Sequence, residues 1–478
     1  MENLLDSRAA PPRGLPAQRL DAAGAAHVDF SAVLALALPL IANSAVQVVL
    51  NLTDVWFIGH ISMQALAAVG AVQWLILVFV MLLGGIAMAV QPRVAQAFGG
   101  RRYARASQAA WTALWGILCA VPLFLAVAAA SRWILAPFGF NAPIVDLASR
   151  FWLPRLGGAP CGMALWALLS FFNGIGRSRI TALVSAITAL ANVPLNALFI
   201  FTLGWGIAGS GLATTVAQAI GLAVALFIFM RPEFRLRFHT NLTWRPQLRR
   251  IWDQLKLGFP TGLLPAADLM GAALFQMMQV RLSTIDGATT QIVMMLTSIA
   301  YMPGFGIALA GTTLVGQSIG AGDRRWARRI GTHVIMLAAF YMGGAGVLIA
   351  LLGPWLLPLF VSTQDVQAGP IILLGTRILW LAAAYQFFDG LNFGSALCLR
   401  GAGDVALPAA IVLGICWLVF LPVAHALTFA PGQGWFGFLP QAGWGAVGGW
   451  SAMVLYVLLL GIILFARWRS AAWQAIRI

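Results

Sequence analysis

The sequence predicts an all-α polytopic membrane protein, with twelve transmembrane helices in two pseudo-symmetric six-helix lobes arranged as a parallel repeat. Three observations carry that prediction. Of the 478 residues, 61% are hydrophobic and only 9% are charged, against about 25% charged in soluble domains. Apolar runs of about 20 residues, the length that crosses hydrocarbon, recur between Val33 and Phe465. The runs also fall into two sets of six that share short motifs.

Taken in order, residues 1–30 are polar and rich in Ala, Pro and Arg. They lack the apolar core of a cleaved signal and are expected to be a disordered cytoplasmic tail. The first lobe (31–230) holds spans at 33–58, 68–97, 107–131, 146–172, 181–203 and 207–230. An Arg-rich cytoplasmic linker (231–250) follows. The second lobe (251–466) holds spans at 251–281, 288–319, 327–351, 368–398, 405–428 and 443–466, and residues 467–478 form a second cytoplasmic tail. With the N-terminus inside, 24 of the 29 basic residues fall in cytoplasmic segments. That bias is the one that orients membrane proteins, so both termini are expected inside.

The repeat is legible in residues. Gly85-Ile86-Ala87-Met88-Ala89 with Gln96 and Gly99 matches Gly306-Ile307-Ala308-Leu309-Ala310 with Gln317 and Gly320. The loops that follow also match: Arg101-Arg102-Tyr103-Ala104-Arg105 against Arg324-Arg325-Trp326-Ala327-Arg328. Gly204-Trp205-Gly206 matches Gly443-Trp444-Gly445. Six spans is an even number, so both copies share one orientation, and their axis lies along the membrane normal. Two lobes facing each other across a central cleft are expected, with the binding site in or beside it.

The net charge of +15 sits between spans, with no basic helix interleaved with aromatics, so no nucleic-acid partner is expected. Cys119, Cys161, Cys398 and Cys416 lie in apolar runs at unrelated spacings and read as packing residues. The five histidines are scattered, no enzymatic constellation stands out, and no phosphate-cradling Gly-Lys-Ser/Thr motif is present. An ion gradient is therefore the expected source of energy, and an integral membrane enzyme is disfavoured.

Eleven of the fourteen acids, Asp404 among them, fall in tails, loops or span ends and read as solvated or dipole-matching charges. Asp54, Asp268 and Asp389 sit inside apolar spans. Ionisable groups there are costly and by default mark a transport or proton pathway. A desolvated carboxylic acid can take up and release a proton near neutral pH, or it can exchange Na⁺ for a cationic substrate. Either chemistry couples two fluxes. Asn192 and Asn196 share one helical face around Pro194 and can serve either a site or interhelical hydrogen bonding. Tyr385 precedes Asp389 by four residues and can reach the same ion. Gln276 and Gln279 are expected to line the cleft or to bind helices together. Phe387 and Phe388 can stack on a cation or simply pack.

Asp54-Val55-Trp56-Phe57-Ile58-Gly59, Asn192-Val193-Pro194-Leu195-Asn196, Gly258-Phe259-Pro260 with Asp268, and Tyr385-Gln386-Phe387-Phe388-Asp389 followed by Leu399-Arg400-Gly401-Ala402-Gly403-Asp404 together resemble the MATE (multidrug and toxic compound extrusion) transporters, in the NorM-like branch. The likeness runs from about residue 31 to about 466. It implies antiport at the bacterial inner membrane, with small organic, often cationic, drugs leaving in exchange for H⁺ or Na⁺. No further cofactor is implied, and the transporter would work as a monomer among membrane lipids. It also implies an N-lobe site of Asp54, Asn192, Asn196 and Thr214, and a C-lobe cation site, open to Na⁺, of Asp268, Tyr385 and Asp389. This chain departs from the branch in having Asp268 where Glu is frequent. The rival in the same superfamily, a lipid-linked precursor flippase, calls for several cations in the cleft. Arg150, Arg155, Arg281 and Arg377 are the candidates, most of them near span ends.

Overall fold

The computed structural model describes residues 14–21, 25–136, 142–360, 368–437 and 440–476. Among these residues, twelve helices are long and apolar enough to cross a membrane. They are α1 (Phe30–Gly59), α2 (Ala68–Gly99), α3 (Tyr103–Ala129), α4 (Ile144–Gly174), α5 (Ser178–Thr202), α6 (Gly206–Phe229), α7 (Leu248–Leu282), α8 (Ile285–Gly320), α9 (Arg324–Phe360), α10 (Ala368–Ala402), α11 (Ala406–Thr428) and α12 (Gly445–Arg469). Each matches one expected span, because in hydrocarbon only a helix can pair every backbone N–H and C=O within its own segment.

One expectation needs correction. The segment 1–30 was expected to be disordered. Residues 1–13 and 22–24 lie outside the described residues, but Gln18–Leu20 and Ala26–Val28 pair as an antiparallel hairpin. Asp29 then caps α1, accepting from the Ser31 and Ala32 N–H groups at 2.9 and 3.3 Å. The Ser31 hydroxyl, donating to the same carboxyl at 2.7 Å, holds it below the usual carboxylate range. The linker 231–250 carries structure of its own. It contains a short helix, Pro232–Phe238, whose buried Phe234 and Phe238 pack on Phe171. It is strapped down where Ser107 and Trp111 donate to the Phe238 and Thr240 carbonyls at 2.6 and 2.9 Å. Its aromatic residues drive this, since each buries a large apolar surface.

The chain forms two compact units. The first runs to Ala266 and takes in Thr312–Ala327, and the second comprises Ala267–Gly311 and the chain from Arg328 onward. The breaks thus fall within α7, α8 and α9 and not at the linker. Inside the first unit, the repeat-related glycines Gly99 and Gly320 hold the ends of α2 and α8 in backbone contact. A Cβ on Gly99 would meet the Gln317 carbonyl, and one on Gly320 would meet the Gln96 carbonyl. Gln91 donates to Thr313 at 3.0 Å, and Thr313 donates to the Asn173 carbonyl at 2.9 Å, beside this contact. Neither backbone can yield as a side chain would. Gly99→Ala or Gly320→Ala is therefore expected to lower stability by about 1–3 kcal/mol, the usual cost of overpacking. Thermal unfolding of the purified protein in detergent checks this, and an unchanged midpoint would refute it.

Candidate functional site

The three intramembrane acids occupy two separate polar sites, one in each unit. In the first unit, Asp54 stands near the end of α1. Its Oδ1 accepts from Asn196 Nδ2 at 2.8 Å and its Oδ2 accepts from Thr214 Oγ1 at 3.1 Å. Asn196 Nδ2 also donates to Asn192 Oδ1 at 2.9 Å, and Asn192 Nδ2 lies 3.5 Å from Thr214 Oγ1. Asn192, Asn196 and Thr214 are buried. The spacing of four puts both asparagines on one face of α5. Pro194 removes a backbone donor between them, and the helix loosens into a π-turn at Leu198–Thr202 immediately after Asn196. The Asn196 amide can meet either form of the acid. Its Nδ2–H donates to a carboxylate, and its Oδ1, which has no partner of its own, can accept from a carboxylic acid after a half-turn of the amide. Arg155 lies close enough to interact electrostatically with Asp54.

In the second unit, Asp268 and Asp389 line one cavity of about 210 Å³. Five helices contribute to it: Asp268, Gly271 and Ala272 from α7, Met294 and Tyr301 from α8, Tyr385, Asp389, Asn392 and Phe393 from α10, Cys416 and Phe420 from α11, and Met453, Tyr456 and Val457 from α12. The Tyr456 hydroxyl donates to Asp268 Oδ1 at 2.6 Å. Asn392 Nδ2 reaches Asp389 Oδ1 at 3.4 Å. Tyr385, Asp389, Asn392 and Phe393 recur at intervals of three and four residues and so share one stripe of α10. On α11 a π-turn, Cys416–Phe420, begins and ends on two cavity residues. Such turns are rare and cluster at functional sites. The α7 backbone comes close to α11 because Gly271 faces Cys416 with no room for a side chain.

All the expected site residues but one lie in these two sites. Gln276 is the exception: it does not line the acid cavity, and of its two expected roles it takes the other, binding helices together. Its Nε2 donates to the Gly287 carbonyl at 3.2 Å, and it lines a separate pocket with Met277, Val280, Arg281 and Trp435. Eight residues at 100° each put it about 80° off the Asp268 face. Phe387 and Phe388 also stay out of the cavity, where Phe387 packs on Phe340 and Phe388. The cavity aromatics are Tyr301, Tyr385, Phe393, Phe420 and Tyr456 instead. Asp404, read as a solvated charge, is buried and paired with Arg467 at 2.8 Å. Cys416, read as packing, lines the cavity. Tyr456, Tyr301 and Asn392 were missed. One signal was available: the chain has five tyrosines, and three of them, Tyr301, Tyr385 and Tyr456, line this one cavity.

The MatE family model matches residues 39–198 and 266–425, one stretch in each half of the repeat. A relative in Pseudomonas aeruginosa, called a probable multidrug resistance protein NorM, is 30% identical over 465 residues, spanning 93% of this chain and 90% of the relative. A protein of the same name in Agrobacterium fabrum is 27% identical over 427 residues, spanning 86% and 90%. Among solved structures, a MOP superfamily transporter from Pyrococcus furiosus has a TM-score of 0.82 at 18% identity, covering 93% of this chain and 96% of that one. The outward-facing form of a multidrug resistance MATE family transporter scores 0.81, also at 18% identity, covering 93% and 96%.

Proposed function

The chain belongs to the MatE family of transporters, and from that premise we propose that it is a secondary active multidrug efflux antiporter. It exports organic, often cationic, compounds in exchange for H⁺ or Na⁺ by alternating access. It works as a monomer in the bacterial inner membrane, among its lipids, with both termini in the cytoplasm. The relatives' names support the drug-export reading. The charge bias of the loops supports the orientation.

The observation that carries the ion-coupled reading is the cavity where Asp268 and Asp389 stand among three tyrosines. Two carboxylates in one desolvated space repel each other, so a single cation or proton between them relieves the repulsion. The Tyr456 hydroxyl, donating to Asp268, holds one carboxylate in place. The Tyr301, Tyr385 and Tyr456 oxygens supply hard ligands for Na⁺, and the ring faces suit an organic cation. Both ions compete for the same charge, so loading one discharges the other. The load moves the protein because it binds the two access states unequally. Among the described residues, no Arg or Lys lines this cavity, so it does not suit the pyrophosphate of a lipid-linked precursor, and the flippase reading is disfavoured.

The test is drug efflux in vesicles with an imposed pH gradient and, separately, an imposed sodium gradient. One of the two is expected to drive accumulation against the drug's own gradient. Drug movement that follows neither gradient would refute ion coupling.

A further inference from the structure

Beyond the acid cavity, α7, α11 and α12 present the same vertical sequence of residues. On α7, Asp268, Ala272, Phe275 and Gln279 recur at four, seven and eleven residues and share one stripe. On α11, the cavity residues Cys416 and Phe420 are followed two turns later by Thr428. On α12, Gly449 and Trp450 precede the cavity residues Met453, Tyr456 and Val457. Each helix thus carries cavity residues, then an aromatic at or just beyond them, then a polar or small residue at its far end.

The aromatics form a plug. Phe275 packs on Phe420 and on Trp450, with ring centroids 5.7 Å apart in both pairs. All three are buried, and Trp450 is pinned by donating to Thr290 Oγ1 at 3.1 Å. The polar residues beyond the plug are unsatisfied. Gln279 is 0% exposed, and neither its Nε2 nor its Oε1 has a hydrogen-bond partner among the described residues. Thr428 is 1% exposed and its hydroxyl also has none. Both atoms converge on Gly449, where a Cβ would strike Gln279 Nε2, Thr428 Oγ1 and the Phe275 ring together. One turn from Thr428, His425 Nδ1 is a fourth buried atom without a partner among the described residues. His425 Nε2 is engaged, accepting the Trp435 and Phe436 N–H groups at 2.9 and 3.2 Å and so fixing the loop above. A pocket of about 340 Å³, lined by Gln276, Met277, Val280, Arg281 and Trp435, lies against the same end of α7.

Buried polar groups are almost always hydrogen-bonded, and an orphaned one costs about 1–3 kcal/mol. Several on one patch, offering both donors and acceptors, suit ordered water, which takes two to four polar partners. We propose that Gln279, Thr428 and His425 form a water-binding node at the outer end of the second unit. The node is the first station of a water route from outside to Asp268 and Asp389. Phe275, Phe420 and Trp450 close the route by excluding water from a hydrophobic constriction. Along α7 the node stands about 16 Å from Asp268, and on that stripe the plug lies between the two. The π-turn of α11 ends on Phe420, which places one plug residue where the helix is least regular. The inference rests on the orientation proposed above.

Cys416 is a natural reporter in the cavity. With Cys119, Cys161 and Cys398 changed to Ser, Ag⁺ applied from outside is expected to inactivate drug transport through the Cys416 thiol, and a Cys416→Ser control is expected to resist it. Gln279→Leu and Thr428→Val are each expected to slow this inactivation roughly tenfold, the factor one lost hydrogen bond makes. Phe275→Ala is expected to speed it by a similar factor. Equal rates in all three variants, with only a raised unfolding temperature in Gln279→Leu, would make Gln279 a packing residue and overturn the proposal. The same dependence seen only with Ag⁺ on the cytoplasmic face would overturn the orientation and leave the route standing.

Discussion

In vesicles energised by the coupling gradient, Asp268→Asn and Asp389→Asn are each expected to stop uphill drug efflux while the protein still folds. Asn is nearly isosteric with Asp, so packing around the cavity is kept. The variant cannot take up a proton, and it removes one of the two negative charges that a cation would meet. A hydrogen bond to a charged group contributes about 1.5–3 kcal/mol, so cation affinity is expected to fall roughly 10–150-fold. Folding should not suffer, because a lone carboxylate in hydrocarbon is a burden on stability that a neutral amide lightens. The unfolding midpoint is therefore expected to stay level or rise as coupling disappears. Wild-type efflux from both variants at equal expression would remove these two acids from the centre of the mechanism.

The second large effect concerns stability. Asp404 is 4% exposed and its Oδ2 is 2.8 Å from Arg467 Nε, whose side chain is 23% exposed. Breaking a buried ion pair from one side leaves an uncompensated charge, which costs about 3–5 kcal/mol. Asp404→Ala is expected to approach the lower end of that range, because Arg467 keeps some access to water. The double variant Asp404→Leu/Arg467→Leu is expected to recover most of the loss, since the pair attracts little beyond its own desolvation cost. Chemical or thermal unfolding of the three proteins in detergent decides the matter. A double variant no better than Asp404→Ala would show that the pair does more than neutralise itself. Transport by any folded Asp404→Ala protein should retain its ion dependence, which separates this bridge from the coupling acids.

Much of the site could be reached from residue identities, and the reasons are specific. Asp54, Asn192 and Asn196 stand out because polar groups are scarce in their spans, and the structure brings all three together with Thr214. Asp268, Tyr385 and Asp389 stand out for the same reason and share one cavity. Tyr456 did not stand out, because its partner Asp268 is 188 positions away and no local spacing links them. Gln276 drew attention as a polar residue near Asp268 in sequence, but on a helix eight positions is a different face. Asp404 looked like a loop charge because its partner, Arg467, sits at the end of another helix.

The sequence by itself determined the class, the twelve spans, the repeat and the three acids worth asking about. It could do so because hydrocarbon imposes rules that act locally: about twenty apolar residues to cross, every backbone group satisfied within the helix, and a heavy penalty on each charge. Only the tertiary structure decided which side chains meet. It joined Tyr456 to Asp268, set Phe275, Phe420 and Trp450 between the acid cavity and Gln279, and turned Gln276 away. Those outcomes depend on the rotation and separation of packed helices. One residue turns the helix by 100° and one missing Cβ, as at Gly271 or Gly449, sets how close two helices come.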